Sequence, residues 1–204
     1  MPVDVAVPVR TWITRSLIAV GVGCLGWCAI VVTHAAMYQR DQRMLLDRML
    51  REPAPRSIMP RLVTVGPGGL VGAMEIPRLR LSATVIEGDD ESALKVAIGH
   101  LSETPMPWEE GNSAFAAHRD TFFRPLKDVA VGDVIRVTTP HGEFEYRVRE
   151  TLIVSPEDLW VLDSTARPTL TLITCYPFSY VGHAPQRFIV RAERAGDARN
   201  GIGT

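Results

Sequence analysis

This sequence is short of thiols and of surplus charge. Of its three cysteines, Cys24 and Cys28 fall inside an apolar stretch near the N-terminus, so Cys175 is the single thiol of the remaining chain. One thiol cannot close an internal disulfide, and an unpaired thiol in an exported domain is a liability unless it is buried or used. Lys and Arg (22) nearly balance Asp and Glu (23), giving a formal net charge of −1. Binding a polyanion needs a cationic surface, so nucleic acid is not expected as a partner. A G-x-S-x-G elbow, a phosphate-cradling Walker loop and zinc-ligand spacing are all absent. Serine-hydrolase, nucleotide and metalloenzyme readings therefore lack an anchor. With no internal repeat and no low-complexity tract, 204 residues read as one ordinary domain plus a short appendage.

The appendage is apolar. Residues Leu17 to Ala36 carry no acidic or basic side chain except His34. As a helix they extend about 30 Å, enough for a bilayer core. A cleaved signal peptide is the rival reading, but its apolar region is usually shorter, and Thr33-His34-Ala35 is only a weak match to a small-residue cleavage site. The expectation is an uncleaved signal anchor. Arg10 and Arg15 precede the run, while Arg40, Arg43, Arg48 and Arg51 follow it. The count of positive charges alone does not favour export of the C-terminus, although long domains translocate largely regardless of charge. The expected organisation is a short cytoplasmic N-terminus over 1–16, a transmembrane anchor over 17–36, and a juxtamembrane helix with a Pro/Gly linker over 37–69. A β-rich domain follows over 70–194, then a disordered tail over 195–204.

Beyond the linker the pattern turns to short β-branched and aromatic runs bounded by turn residues. Strands are expected at Val71–Ile76, Leu81–Ile86, Ser113–His118, Asp133–Thr138, Glu143–Ile153, Thr169–Cys175 and Arg187–Ala192. Thr139-Pro140-His141-Gly142 marks a hairpin between two of them. A helix is expected at Ser92–Ile98, opened by Asp89-Asp90-Glu91, and a helical turn at Phe123–Lys127. Seven or eight short strands with few helices imply a mainly β barrel or sandwich. His100 and His141 read as loop residues.

Three strand ends carry chemistry. His118 closes the small, apolar stretch Ser113–Ala117, Cys175 closes Thr171-Leu172-Ile173-Thr174, and Arg187 opens Phe188-Ile189-Val190. A free thiol is only a few per cent thiolate at neutral pH, so a nucleophilic cysteine gains from a nearby imidazolium. That imidazolium can then protonate a departing amine. An arginine stays charged and can hold a developing oxyanion. Each residue also has a plain reading: Cys175 as a buried strand cysteine, His118 as a surface loop residue, Arg187 as a solvated edge charge. Asp120 reads equally as a turn cap, and His183 as a solvent-exposed imidazole near the site.

Taken together, Ala117-His118-Arg119-Asp120, Thr171-Leu172-Ile173-Thr174-Cys175 and Gln186-Arg187-Phe188-Ile189-Val190 resemble, in order, the three active-site motifs of sortases. These are membrane-anchored cysteine transpeptidases of bacterial surfaces. The resemblance runs from about Gly69 through Ala192 and is greatest to class D, with class E beside it. It implies an eight-stranded β-barrel with one or two short helices behind an N-terminal transmembrane helix. It further implies that Cys175 attacks the Thr–Gly bond of an LPXTG-like C-terminal sorting signal and forms a thioacyl-enzyme, which an amine resolves. His118 would be the acid and then the base, and Arg187 would bind the carbonyl and oxyanion. Thr174, Tyr176, Pro177 and Phe178 would contact substrate, or merely pack. The implied partners are sorting-signal-bearing surface proteins, an amine acceptor (a peptidoglycan precursor or a protein amine) and membrane lipid. No cofactor is required, and no calcium ligand set can be carried over. The implied location is the bacterial cell membrane, single-pass, with the catalytic domain extracytoplasmic. A cysteine hydrolase on the same barrel, and a non-catalytic tethered scaffold, remain alternatives. An L,D-transpeptidase would place a Gly-Cys-Arg type run at the nucleophile, whereas Cys175 is followed by Tyr176-Pro177.

Overall fold

The structure, a computed structural model, describes residues 6–51, 65–180 and 182–196. Most of the expected linker and the tail beyond 196 lie outside the described residues. The chain divides into two units, Met1–Tyr38 and Gln39–Thr204.

One helix, α1 (Ala6–Arg51), runs through the first unit and into the second. No glycine or proline falls between Trp27 and Arg51, so no residue there interrupts the helical hydrogen bonds. From Thr11 the helix is long and apolar enough to cross a membrane, with a mean hydropathy of 2.1 over its most apolar window, none of which is buried by the rest of the chain. Thr33 donates its hydroxyl to the Ala29 carbonyl at 2.6 Å, so this polar group asks nothing of its surroundings. The helix is a candidate membrane anchor.

The second unit is an eight-stranded barrel. Its strands are β1 (Leu70–Ile76), β2 (Leu81–Glu87), β3 (Ile98–His100), β4 (Asn112–Ala116), β5 (Val134–Thr139), β6 (Gly142–Val154), β7 (Thr169–Tyr176) and β8 (Gln186–Arg194). They close in the order β1-β2-β3-β4-β7-β8-β6-β5. The pairs β2–β3 and β4–β7 are parallel and the others antiparallel. Inward positions alternate along each strand as the pleat requires. Met74 and Ile76 on β1, Ala83 and Val85 on β2, Ile135 and Val137 on β5, and Leu170 and Leu172 on β7 meet Phe115, Phe123 and Tyr146 in the core. The Tyr146 hydroxyl donates to Pro107 O at 2.9 Å, which satisfies the one polar atom of that buried ring.

Two sequence expectations are corrected here. The helix expected over Ser92–Ile98 is α2 (Glu91–Val96), and Ile98 instead opens β3. Asp90 caps α2 by accepting from Ser92 N and Ala93 N at 2.8 and 3.1 Å. Gly99 permits the tight return, since a Cβ there would sit 2.4 Å from the Gly88 carbonyl oxygen. His100 is also not a loop residue. It ends β3, is buried, and places Nδ1 2.7 Å from Glu87 Oε2. His141 does lie in the two-residue β5–β6 turn, stacked on Trp108 with ring centroids 4.0 Å apart.

Because β3 is so short, β2 outruns it. The Thr84 N–H, one residue before the β3 pairing begins, donates to Gln39 Oε1 at 2.8 Å, and Gln39 Nε2 donates to Val96 O at 2.5 Å. One side-chain amide thus spans the gap between β2 and the end of α2. Arg43 donates to Ser82 Oγ at 2.7 Å, and Leu46 is buried. Residues at this helical spacing lie on one face of α1.

The β1–β2 turn is tied by charge to the residue just before β5. Arg78, in the turn between β1 and β2, donates Nε to Asp133 Oδ1 at 2.5 Å and Nη2 to Oδ2 at 2.6 Å, a two-point pairing. These hydrogen bonds hold the buried Asp133 carboxyl below the usual aspartate range against its desolvation, helped by the Ala130 N–H and the Arg78 charge. A carboxyl depressed in the folded state stabilises the fold above the ordinary aspartate value, near 4, and loses that contribution as pH falls through the depressed value. Asp133→Asn should therefore melt several degrees below wild type at pH 7. Thermal unfolding across a pH series should show the gap narrowing below about pH 4; a gap independent of pH would mean that the site acts through packing alone.

Candidate active site

The strand register brings the three chemical residues together. Cys175 and Arg187 are direct cross-strand partners on β7 and β8. Such partners lie about 5 Å apart at Cα and share one face of the sheet. Leu170, Leu172 and Thr174 point into the barrel, so Cys175, in the opposite phase, faces out with Thr171 and Ile173. The outer face is covered nearby by the helical turn Leu159–Leu162, where Val161 packs with Val154, Ile189, Ile173 and Leu152. That cover stops short of Cys175 and Arg187, and both are half-buried.

His118 arrives from the neighbouring strand. The parallel β4–β7 ladder ends at Ala116↔Ile173, and Ala117 N still donates to Ile173 O at 3.3 Å. Thr174 Oγ1 then donates to Ala117 O at 2.8 Å. These two bonds carry the chain one residue beyond the strand and set His118 at the level of Cys175. The expected strand over Ser113–His118 is thus corrected: it ends at Ala116, and His118 belongs to a turn. Its carbonyl accepts from Phe123 N and Thr121 N at 3.1 and 3.4 Å, which fixes that turn.

His118, Cys175 and Arg187 share one open cleft of about 390 Å³, which Arg119, Asp120, Gly182, His183 and Ala184 also line. Arg187 donates Nη1 to the carbonyls of Gln186 and Ala184 at 3.1 and 3.4 Å. Among the described residues it forms no ion pair. Two exposed carboxylates feel the charges of the site weakly. Glu157 is held below the usual glutamate range chiefly by the Ser155 hydroxyl, with a small contribution from Arg187. Glu91 is held low chiefly by Lys95 through hydrogen bond and charge, with a small contribution from His118. No group of three or more His, Cys, Asp or Glu side chains converges as metal ligands among the described residues.

The four further residues expected near substrate are not among those that line the cleft. Thr174 is buried and spends its hydroxyl on Ala117. Tyr176 and Phe178 pack with Phe188, the rings 5.3 to 6.3 Å apart, and Phe178 and Phe188 rest on the barrel core. Pro177 follows Tyr176 through a cis peptide bond, and its carbonyl accepts from Arg119 Nη1 at 3.0 Å. His183 and Asp120 line the cleft and are exposed. Sequence reasoning missed Arg119. The available signal was a second charged residue directly after His118.

A family model for the sortase domain matches residues 74–195. The chain belongs to the sortase family. Sortase D of Bacillus subtilis (strain 168) is 37% identical over 128 residues, covering 62% of this chain and 65% of the relative. A Clostridium perfringens sortase D5 transpeptidase shares the fold with a TM-score of 0.62 at 25% identity, over 78% of this chain and 99% of that one. C. perfringens sortase C, solved with its C-terminal cell wall sorting motif, superposes with a TM-score of 0.60 at 23% identity over 81% and 87% of the two chains, a likeness of fold alone. The matched region spans between 52% and 65% of the length of the curated relatives. The two relatives designated D agree with the expected class D resemblance.

The Thr174 hydroxyl should be measurable as a structural tie. Thr174→Val leaves the buried Ala117 carbonyl without its donor and should cost about 1–2 kcal/mol in urea unfolding. Thr174→Ser should recover most of that loss.

Proposed function

We propose that this sortase is a membrane-anchored, extracytoplasmic cysteine transpeptidase acting on a C-terminal sorting signal of the LPXTG kind. The observation that carries this reading is the meeting of the Cys175 thiol, the His118 imidazole and the Arg187 guanidinium, which forms no ion pair among the described residues, in a single open cleft. The Cys175 thiolate attacks the carbonyl carbon of the Thr–Gly bond. Arg187, which pairs with no acid among the described residues, stabilises the oxyanion that forms on the carbonyl oxygen. The C–N bond breaks as the His118 imidazolium gives its proton to the departing amine, leaving a thioester on Cys175 and a neutral imidazole. An incoming amine, from a peptidoglycan precursor or a protein, then gives its proton to His118 as it displaces the thiolate and forms a new amide. The apolar helix holds the enzyme at the cell membrane, single-pass, where anchored substrates reside. On this reading its substrates are surface proteins that bear a sorting signal. The barrel brings its own nucleophile, acid and electrophile, so no cofactor enters any step.

Intact mass spectrometry tests this directly. A fragment from Gln39 to Thr204, which keeps the segment bonded to β2, is incubated with a library of LPXTG-like peptides with and without an added amine. The expected result is a thioester adduct on Cys175, absent in Cys175→Ala and released as a new amide when amine is present. Turnover in His118→Ala should fall about 10²–10⁴-fold, and in Arg187→Ala about 10²–10³-fold. Release to free acid alone, even with amine in excess, would make the enzyme a hydrolase. No adduct with any peptide would sink the reading.

A further inference from the structure

Resting on the reading of the cleft just given, we propose that Arg119 is a positioning residue that fixes one wall of the substrate cleft and thereby sets how well substrate binds. The wall is the connection from Pro177 to Pro185 between β7 and β8, which contributes Gly182, His183 and Ala184 to the cleft. No strand ladder holds its described residues. Among its described residues, its only internal backbone hydrogen bond is Tyr180 N to Pro177 O at 3.3 Å. The Arg119 guanidinium supplies what is missing. Nη1 donates to Pro177 O at 3.0 Å, and Nη2 donates to Tyr180 O at 2.6 Å and Gly182 O at 3.1 Å. The Tyr180 ring centroid lies 6.0 Å from the guanidinium carbon. One planar, permanently charged fork thus gathers three carbonyls spread along the connection, a geometry that a lysine ammonium cannot reproduce.

The fork is itself anchored. Arg119 follows His118, whose turn is held by Phe123 N and Thr121 N, and Ala117 is tied to β7 through Ile173 and Thr174. Arg119 therefore sets the spacing between the turn carrying His118 and the wall facing it. Among the described residues no carboxylate pairs with it. The backbone positions of the reacting groups do not depend on this tie, and the wall's one bond to them among the described residues is the long contact from Arg187 Nη1 to Ala184 O at 3.4 Å. Cys175 and Arg187 are held by the β7–β8 ladder, and His118 by its own turn. Loss of Arg119 should therefore weaken substrate binding and spare the chemical step, raising KM and leaving kcat.

The test uses the full chain in detergent micelles, as wild type, Arg119→Ala and Arg119→Lys. Amide hydrogen exchange reads the wall whatever the activity. Exchange in the segment 178–184 should rise about tenfold in Arg119→Ala, the loss of roughly one charge-assisted hydrogen bond, while β7 and β8 keep wild-type protection. Arg119→Lys should fall between. With the peptide that acylates Cys175, KM should rise about tenfold in Arg119→Ala and kcat should stay within about twofold. Unchanged exchange in the wall would overturn the proposal, as would a fall in kcat at constant KM or no change in either constant. A wild-type chain that turns over no peptide would overturn the transpeptidase reading, and exchange would still decide whether Arg119 holds the wall.

Discussion

A slip of one residue between β7 and β8 would turn Arg187 off the face that carries Cys175, because strand side chains alternate with a period of two. The two polar residues do nothing to prevent it; their apolar neighbours do. Leu170 opposite Ala192 and Leu172 opposite Val190 fill the barrel, and Ile173 opposite Ile189 lies beneath the Leu159–Leu162 turn on the outer face. Both faces of this strand pair are thus committed to burial, each large side chain contributing about 1.5–3 kcal/mol. The parallel β4–β7 pairing adds the third residue under the same discipline. Asn112, fully buried, donates Nδ2 to Val161 O at 2.9 Å and accepts from Thr171 Oγ1 at 2.7 Å, which locks β4 to β7 and to the covering turn. The cleft's geometry is therefore a by-product of core packing, extended by one residue through the Thr174 hydroxyl.

Three arginines in this barrel show how the same side chain is put to different uses by what it faces. Arg78 meets a buried carboxylate at two points and ties the β1–β2 turn to the start of β5. Arg119 meets three peptide carbonyls and keeps its net charge while ordering a connection. Arg187 meets only two longer carbonyl contacts from its own neighbourhood. A neutralised guanidinium is poorly suited to stabilise a transient negative charge, so the absence of a carboxylate partner among the described residues is what leaves Arg187 available for that work.

Most of the strands were legible because their hydrophobic alternation is local. Thr169–Cys175 and Arg187–Ala192 were placed within a residue or two of their observed ends. β3 was not, because three residues cannot show a period and Ile98 continues the pattern of α2. His100 looked like a loop residue for the same reason; its partner Glu87 is set by the parallel β2–β3 pairing. The candidate site was legible as residue types at strand ends, and the structure brings Cys175, His118 and Arg187 into one cleft. What local pattern could not supply was phase. Thr174 and Tyr176, adjacent to Cys175 in sequence, face away from it because neighbours on a strand point to opposite sides. Arg119 escaped notice because its three acceptors lie about sixty residues downstream and are backbone atoms, which carry no side-chain signature.

The short β3 has a cost that reaches outside the barrel strands. A three-residue strand leaves β2 without a strand partner for the N–H of buried Thr84, and a buried donor without a partner costs about 1–3 kcal/mol. Gln39 answers it with a side chain that offers both acceptor and donor, closing on Val96 O as a missing strand residue would. An aliphatic residue there would leave both backbone groups unpaired, and a carboxylate could satisfy only the Thr84 side. The hydrogen-bonded edge of the barrel thus begins at Gln39, well before the first strand. The folded unit extends ahead of the region matched by the family, and the segment leading into the barrel is one of its structural members.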